Sequence, residues 1–500
     1  MISKGGFMNL VDMIKTSPLI HGDPIHGHIG YIDKIREHIQ VHPISDIVDE
    51  KGHQYVDLVL QGGGVLGIAL IGYTYTLEKA GIRFLNIAGT SAGAVNATLL
   101  AAVGYPNESK SDALLDIFNS MDFESFIDGG HVVNQLLKDV QRTQKIKLAS
   151  LLPQLLALYF QGKFEADKFG LNPGDVFENW MGSTLEQFNI KTTHQLMEKL
   201  KNPPLYIRNL AEREDQDIAQ QRIQNDFKHN ALALVAAEVS TESKIIFPQM
   251  AKLFWENPLQ EHPKKYVRAS MSIPLFFEYM QVHNLPKNRE RYWKALTGFK
   301  GEPPQKACLV DGALVSNFPI DIFHKRQHIP LCPTFGVKLS VDRTQISNLK
   351  TLTGYLSALF DTARHTADYS FMLQNNDYEK LIAYVDTAQK YHPPQQQKRK
   401  YACINLQSWF EVQASEHYDW LEFNMSDDKK KALFELGAKA AHDFIVGNHA
   451  EFEQDSELKN HKSIVHPFNW SEYKLIRKKL IMAPSVLDQQ KKQERDDCSI

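Results

Sequence analysis

The stretch that most restricts this chain is VDLVLQGGGVLGIALIGYTYTLEKAGIRFLNIAGTSAGAVNATLLAAV, at 56–103. Val56 to Leu60 alternates and is rich in β-branched residues, as a strand would be, and the glycines at 62–64 break it. Leu66, Ala69, Leu70, Tyr73 and Leu77 then recur at helical spacing up to Gly81. Ile82 to Ala88 reads as a second strand, Gly89 to Gly93 breaks it, and Ala94 to Val103 has the composition of a buried helix. Strand, glycine turn and helix occurring twice in succession call for parallel strands joined by helical crossovers, an α/β layer fold.

The first glycine run has two chemical readings. Gly62, Gly64 and Gly67 satisfy G-x-G-x-x-G between a strand and a helix, the fingerprint of a dinucleotide phosphate cradle. Such a site also needs an acidic residue about 20 positions on to hold the ribose. No Asp or Glu stands between Glu78 and Glu108, and the second strand runs instead into Gly89-Thr90-Ser91-Ala92-Gly93, a G-x-S-x-G. A serine on a tight strand-to-helix turn projects its oxygen, flanking glycines remove side chains that would collide there, and the following helix aims its positive end at the same place. Ser91 is therefore a candidate nucleophile. The amides of Gly62, Gly63 and Gly64 then suit the negative oxygen that forms when a serine attacks a carbonyl.

A serine nucleophile needs a base. None of the 20 histidines stands in a distinctive local setting, whereas Asp311 follows a short apolar strand and precedes Gly312. On local sequence alone it is either a turn residue or a catalyst.

Composition narrows the partners. Lys and Arg number 56 against 59 Asp and Glu, so no global field favours nucleic acid. The N-terminus lacks the pattern of a cleaved secretory signal and no stretch is apolar enough for a membrane-spanning helix, so a cytoplasmic chain is expected, with signal-independent secretion left open. Cys308, Cys332, Cys403 and Cys498 form no CxxC pair, and the histidines of the first 54 residues match no standard metal-ligand spacing.

Three regions are expected: an N-terminal extension laid on the surface over 1–54, a main domain over 55–447 with a helical insertion at about 105–265, and a polar tail over 448–500. Within the insertion, residues 145–164 gather Leu148, Leu151, Leu152, Leu155, Leu156 and Phe160 between lysines, either a core helix kinked at Pro153 or a lid that opens an apolar face at lipid. Residues 426–445 read as a helix capped by Ser426 or Asp427.

Taken in order, GGGVLG at 62–67, GTSAG at 89–93, RASMSIPLFFEY at 268–279 and DGALVSNFP at 311–319 resemble the patatin-like phospholipases, and LFELGAKAAHDFI is similar to the closing helix of that family. The resemblance covers roughly 55–447. It implies a three-layer α/β/α fold with a mostly parallel central sheet, and a Ser–Asp dyad without histidine, with Ser91 as nucleophile and Asp311 as base. It further implies that Gly62, Gly63 and Gly64 form the oxyanion hole and that Gly67, Gly89, Gly93 and Gly312 support the turns. The implied activity is a phospholipase A or lysophospholipase needing no metal or organic cofactor. The partners it implies are a phospholipid membrane surface or micelles, with the protein peripheral at membranes, and a protein activator is kept open as a second partner. Leu66 departs from the family, which carries Lys or Arg at that position, and the 220 positions between Ser91 and Asp311 exceed the spacing of compact relatives. The alternatives are a serine acyltransferase and a lipid-binding protein with little turnover.

Overall fold

A computed structural model describes residues 9–129, 169–226, 231–325, 328–339, 346, 349–387, 391, 418–448 and 466–482. The strands among them are β1 (Ile47–Val48), β2 (Gln54–Leu60), β3 (Ile82–Thr90), β4 (Gly170–Asn172), β5 (Tyr206–Ile207), β6 (Leu232–Glu238), β7 (Ser243–Phe247), β8 (Leu275–Phe277), β9 (Met280–His283), β10 (Lys306–Asp311), β11 (Thr334–Lys338) and β12 (Ile382–Tyr384). The main sheet runs β12-β11-β2-β3-β6-β10-β9, with β1 attached beside β2, β5 beside β1 and β7 beside β6, while β4 and β8 pair separately.

Neighbours from β12 through β6 are parallel, and β10 and β9 extend the sheet in antiparallel sense. The expected parallel sheet is thus the centre of a larger mixed one. Every residue of β2 and all but one of β3 are buried, the mark of strands covered on both faces. Both glycine turns fall as the sequence requires. The helix Gly67–Lys79 connects β2 to β3, and the helix Ala92–Ala102, buried throughout, leaves the end of β3.

The closing helix Asp427–Val446 is capped by the Ser426 side chain and lies directly on Gly67–Lys79. Two glycines allow the approach: a Cβ on Gly72 would come within 2.0 Å of Phe434 O, and one on Gly437 within 1.9 Å of Ala69 O. Sequence position alone does not suggest this contact.

Three expectations are corrected. The span 105–265 is not a helical insertion throughout, because β6 and β7 lie inside it and β6 is central to the sheet. Its sequence LALVAAE is buried on both faces and so lacks the alternation that marks a half-exposed strand. The N-terminal stretch is more than a surface layer: Leu10, Ile14, Ile20, Ile32, Ile35 and Ile39 are buried in the main core, and its helices rest on Asp427–Val446. The tail is not wholly peripheral either. The helix Trp470–Met482 docks through Trp470 Nε1, which donates to Asp46 at 2.7 Å, and through the buried Arg477–Asp377 ion pair at 3.3 Å. Residues 145–164 lie outside the described residues. No helix among the described residues is long and apolar enough to cross a membrane.

Candidate active site

The register of β6 assembles the site. Thr90, the last residue of β3, pairs with Val235, and Asp311, the last residue of β10, pairs with the next residue, Ala236. One strand that switches partners between consecutive residues therefore brings together two chain segments 220 positions apart.

Ser91 follows Thr90 with φ 54 and ψ −122, a positive φ that a side chain rarely adopts. Such a conformation persists only where its surroundings hold it. Here the Ser91 N–H donates to Ser270 Oγ at 3.0 Å, and the carbonyl accepts from Ala94 and Val95 at the start of the helix. The glycines are required by contact distance. A Cβ on Gly89 would lie 2.3 Å from Gly93 O, and one on Gly93 would lie 2.2 Å from Leu60 O.

Asp311 is 2% exposed. Its main-chain N–H donates to Ser272 O at 2.9 Å, and Oδ1 accepts the Ala313 N–H at 2.8 Å. Gly312 is needed because a Cβ there would strike Val235 O at 2.2 Å. Burial pushes the Asp311 carboxyl up to about 6, against the opposing effects of the nearby Ser91 hydroxyl, the Ala313 amide and the charge of Arg364. The Ser91 hydroxyl donates to Met271 Sδ at 3.9 Å, a weak acceptor that holds it loosely. Among the described residues no histidine hydrogen-bonds to either group.

The glycine run divides into two parts. The Gly62 N–H donates to Asn317 O at 3.0 Å, while Asn317 Nδ2 returns a bond to Gly62 O at 3.3 Å. Gly62 is thus a structural clamp, and the expectation that its amide serves an oxyanion is corrected. The Gly63 and Gly64 N–H groups have no partner among the described residues. Gly64 adopts φ 56, and the next amide, Val65, donates to Trp420 O at 3.0 Å. Gly67 sits where a Cβ would come within 2.8 Å of the Ala92 methyl, so it sets the separation of the two turns.

Beside these groups opens an apolar cleft. Gly64, Gly67, Ala92 and Met271 line its end near the serine; Ile68, Val95 and Leu99 form a wall; Phe123, Phe126, Phe177 and Phe423 contribute rings. A concave, largely apolar cleft beside a few placed polar groups is the usual form of a small-molecule site.

Several supporting residues escaped the sequence reading. Ser270 and Ser272 sit in the RASMSIP block and Asn317 in the SNFP block, so their neighbourhoods were marked without their roles. Arg268, also buried, ties the first block to Ser272, Pro173 O and Glu278 O. Asp368, which binds the loop after Asp311, carries no local signal.

The chain is 28% identical over 348 residues to the uncharacterized protein YqhO of Bacillus subtilis (strain 168), covering 69% of this chain and 93% of that one. VipD from Legionella pneumophila aligns over 75% of this chain and 70% of its own, at 15% identity and a TM-score of 0.29. The patatin-like phospholipase model matches residues 58–324, more than half of the sequence, and the protein belongs to that family.

Proposed function

We propose that this protein is a phospholipase A or lysophospholipase that cleaves carboxylic esters of membrane phospholipids through an acyl-enzyme on Ser91. Membership of the family implies a lipid acyl hydrolase. The observation that carries the finer reading is the adjacency of a strained Ser91 and a buried Asp311 across consecutive positions of β6.

In this reading the Asp311 carboxylate takes the Ser91 hydroxyl proton as Oγ attacks the ester carbonyl. The carbonyl π pair moves onto oxygen, which rests on the Gly63 and Gly64 amides. Collapse breaks the bond to the glycerol oxygen, which receives the proton from Asp311 and leaves as lysophospholipid. Water then repeats the sequence: Asp311 takes its proton, the hydroxide adds to the acyl carbon, and fatty acid departs as Ser91 recovers its hydrogen. A carboxyl raised to about 6 is a better base than an exposed aspartate and is still ionised at neutral pH. The cleft of phenylalanines, isoleucine and leucine fits an acyl chain, each buried methylene of which contributes about 0.8 kcal/mol. A membrane or micelle surface is the partner this substrate requires.

The test is fatty-acid release from mixed phospholipid vesicles by wild-type and Ser91→Ala protein, followed by mass spectrometry. Release by the wild type alone supports the proposal; equal release by both removes Ser91 from the reaction.

A further inference from the structure

The tripeptide Ser316-Asn317-Phe318, five residues beyond Asp311, touches both halves of the site. Thr90, immediately before Ser91, donates through Oγ1 to Ser316 O at 2.9 Å. The Gly62 N–H donates to Asn317 O at 3.0 Å, and Gly62 immediately precedes the two unpartnered amides. The turn behind the serine and the strand that presents the oxyanion donors thus hang on one short loop.

That loop is held from outside. Asp368, on the helix Leu352–Gln374, accepts the Ser316 hydroxyl at 2.6 Å and the Phe318 N–H at 2.8 Å. Its two carboxylate oxygens bracket Asn317, fixing the tripeptide at both ends. Asp368 lies beyond the 58–324 span matched by the family model, on the helix that also carries Arg364, whose charge acts on Asp311.

We infer that Asp368 is a positioning residue for the Ser91 reaction, setting the separation between the nucleophile turn and the Gly63–Gly64 amides through the Ser316–Phe318 loop. This rests on the reading of Ser91 as nucleophile. The physical argument is one of tolerance. A serine and its oxyanion donors must meet one carbonyl at the same time, and a misplacement on the order of 1 Å costs about a hundredfold in rate. The Ser316–Phe318 loop is buried, and without its two external bonds only packing and its bonds to Thr90 and Gly62 would set its position, so a shift toward that size becomes accessible. A buried carboxylate with two donors is the costlier choice for holding a loop, and it gives the tighter geometry because bonds to an ionised acceptor are short and strong. Burial raises the Asp368 carboxyl to about 6, so it too is ionised at neutral pH.

The experiment compares Asp368→Ala, Asp368→Asn and Ser316→Ala with wild type, Ser91→Ala and the remote variant Arg477→Met. It measures kcat and KM on a soluble short-chain ester, the rate of labelling by a fluorophosphonate probe, and Tm. The expected result for Asp368→Ala is a loss of about tenfold or more in both kcat and labelling rate with KM nearly unchanged. Asp368→Asn, which keeps an acceptor, should recover part of the loss, and Ser316→Ala, which deletes one of the two bonds and is the mildest change, should show a smaller one. Arg477→Met should lower Tm without slowing labelling, so a fall in stability is not mistaken for a loss of positioning. Wild-type kcat and labelling in folded Asp368 and Ser316 variants, with Ser91→Ala inactive, would overturn the inference alone. Turnover retained by Ser91→Ala would overturn the reading beneath it and the inference together.

Discussion

Ser270 links Ser91 to the central sheet: its Oγ accepts the Ser91 N–H at 3.0 Å and donates to Val235 O at 2.6 Å. Val235 is also the β6 partner of Thr90, so the strained turn is tied at two consecutive residues to one point of β6. Ser270→Ala should lower kcat by about tenfold to a hundredfold with a small change in KM. Leaving a buried N–H and a buried carbonyl short of a partner should also cost about 1–3 kcal/mol of stability. Steady-state kinetics and denaturant unfolding on the same preparation check both.

The pH dependence follows from Asp311. A base raised to about 6 must be ionised to act, so kcat/KM on a soluble ester should fall below about pH 6 along a single acid limb. An acid limb near 4, the range of an exposed aspartate, would contradict the burial argument.

The same shift has a consequence for stability with a definite sign. The folded state holds the Asp311 proton more tightly than the unfolded chain, whose carboxyl titrates at 3.8, so this group's contribution is most favourable below about pH 4 and is lost as pH rises from there to about 6. Two pH units correspond to about 3 kcal/mol. Asp311→Asn should therefore abolish hydrolysis while raising Tm at pH 7.5, and the gain should vanish near pH 4. Calorimetry at the two pH values measures it.

The cleft should select for chain length. Val95 faces it from the helix that follows Ser91, and Val95→Phe would fill space without touching the polar groups. Activity on long-chain esters should fall by about tenfold relative to a butyryl ester, since several methylenes lose their burial. An equal fall on both substrates would indicate a disturbed elbow in place of a blocked chain.

The C-terminal helix supplies a prediction about stability alone. Asp377 is buried and pairs with Arg477, so Arg477→Met leaves a buried charge with only the Tyr473 hydroxyl donating to it and should destabilise the fold by about 3–5 kcal/mol. Adding Asp377→Asn should recover a large part of it, readable in a double-mutant cycle of denaturant midpoints.

Legibility in the sequence followed the locality of the signal. The two strand–glycine–helix units were readable because apolar period, glycine breaks and the G-x-S-x-G elbow lie within fifty residues. β6 was not, because LALVAAE is buried on both faces and its apolar run carries no period of two. Asp311 stood out only as an acid before a glycine, and its base role came from resemblance, since no sequence distance reveals that β6 aligns it beside Thr90. Gly62 was misassigned for a related reason: what occupies its amide is the carbonyl of Asn317, 255 positions away, and a main-chain partner leaves no mark on residue type. The docking of Trp470 and Arg477 was hidden by the polarity of the residues around them.

The central claim is a covalent one, and the most direct measurement is peptide mass spectrometry of the protein quenched during turnover of a phospholipid, with Asp311→Asn as a variant expected to be unable to acylate. The account predicts an acyl group on the peptide containing Ser91 in the wild type and none in the variant. Acylation at another residue, or fatty-acid release by Ser91→Ala, would contradict it.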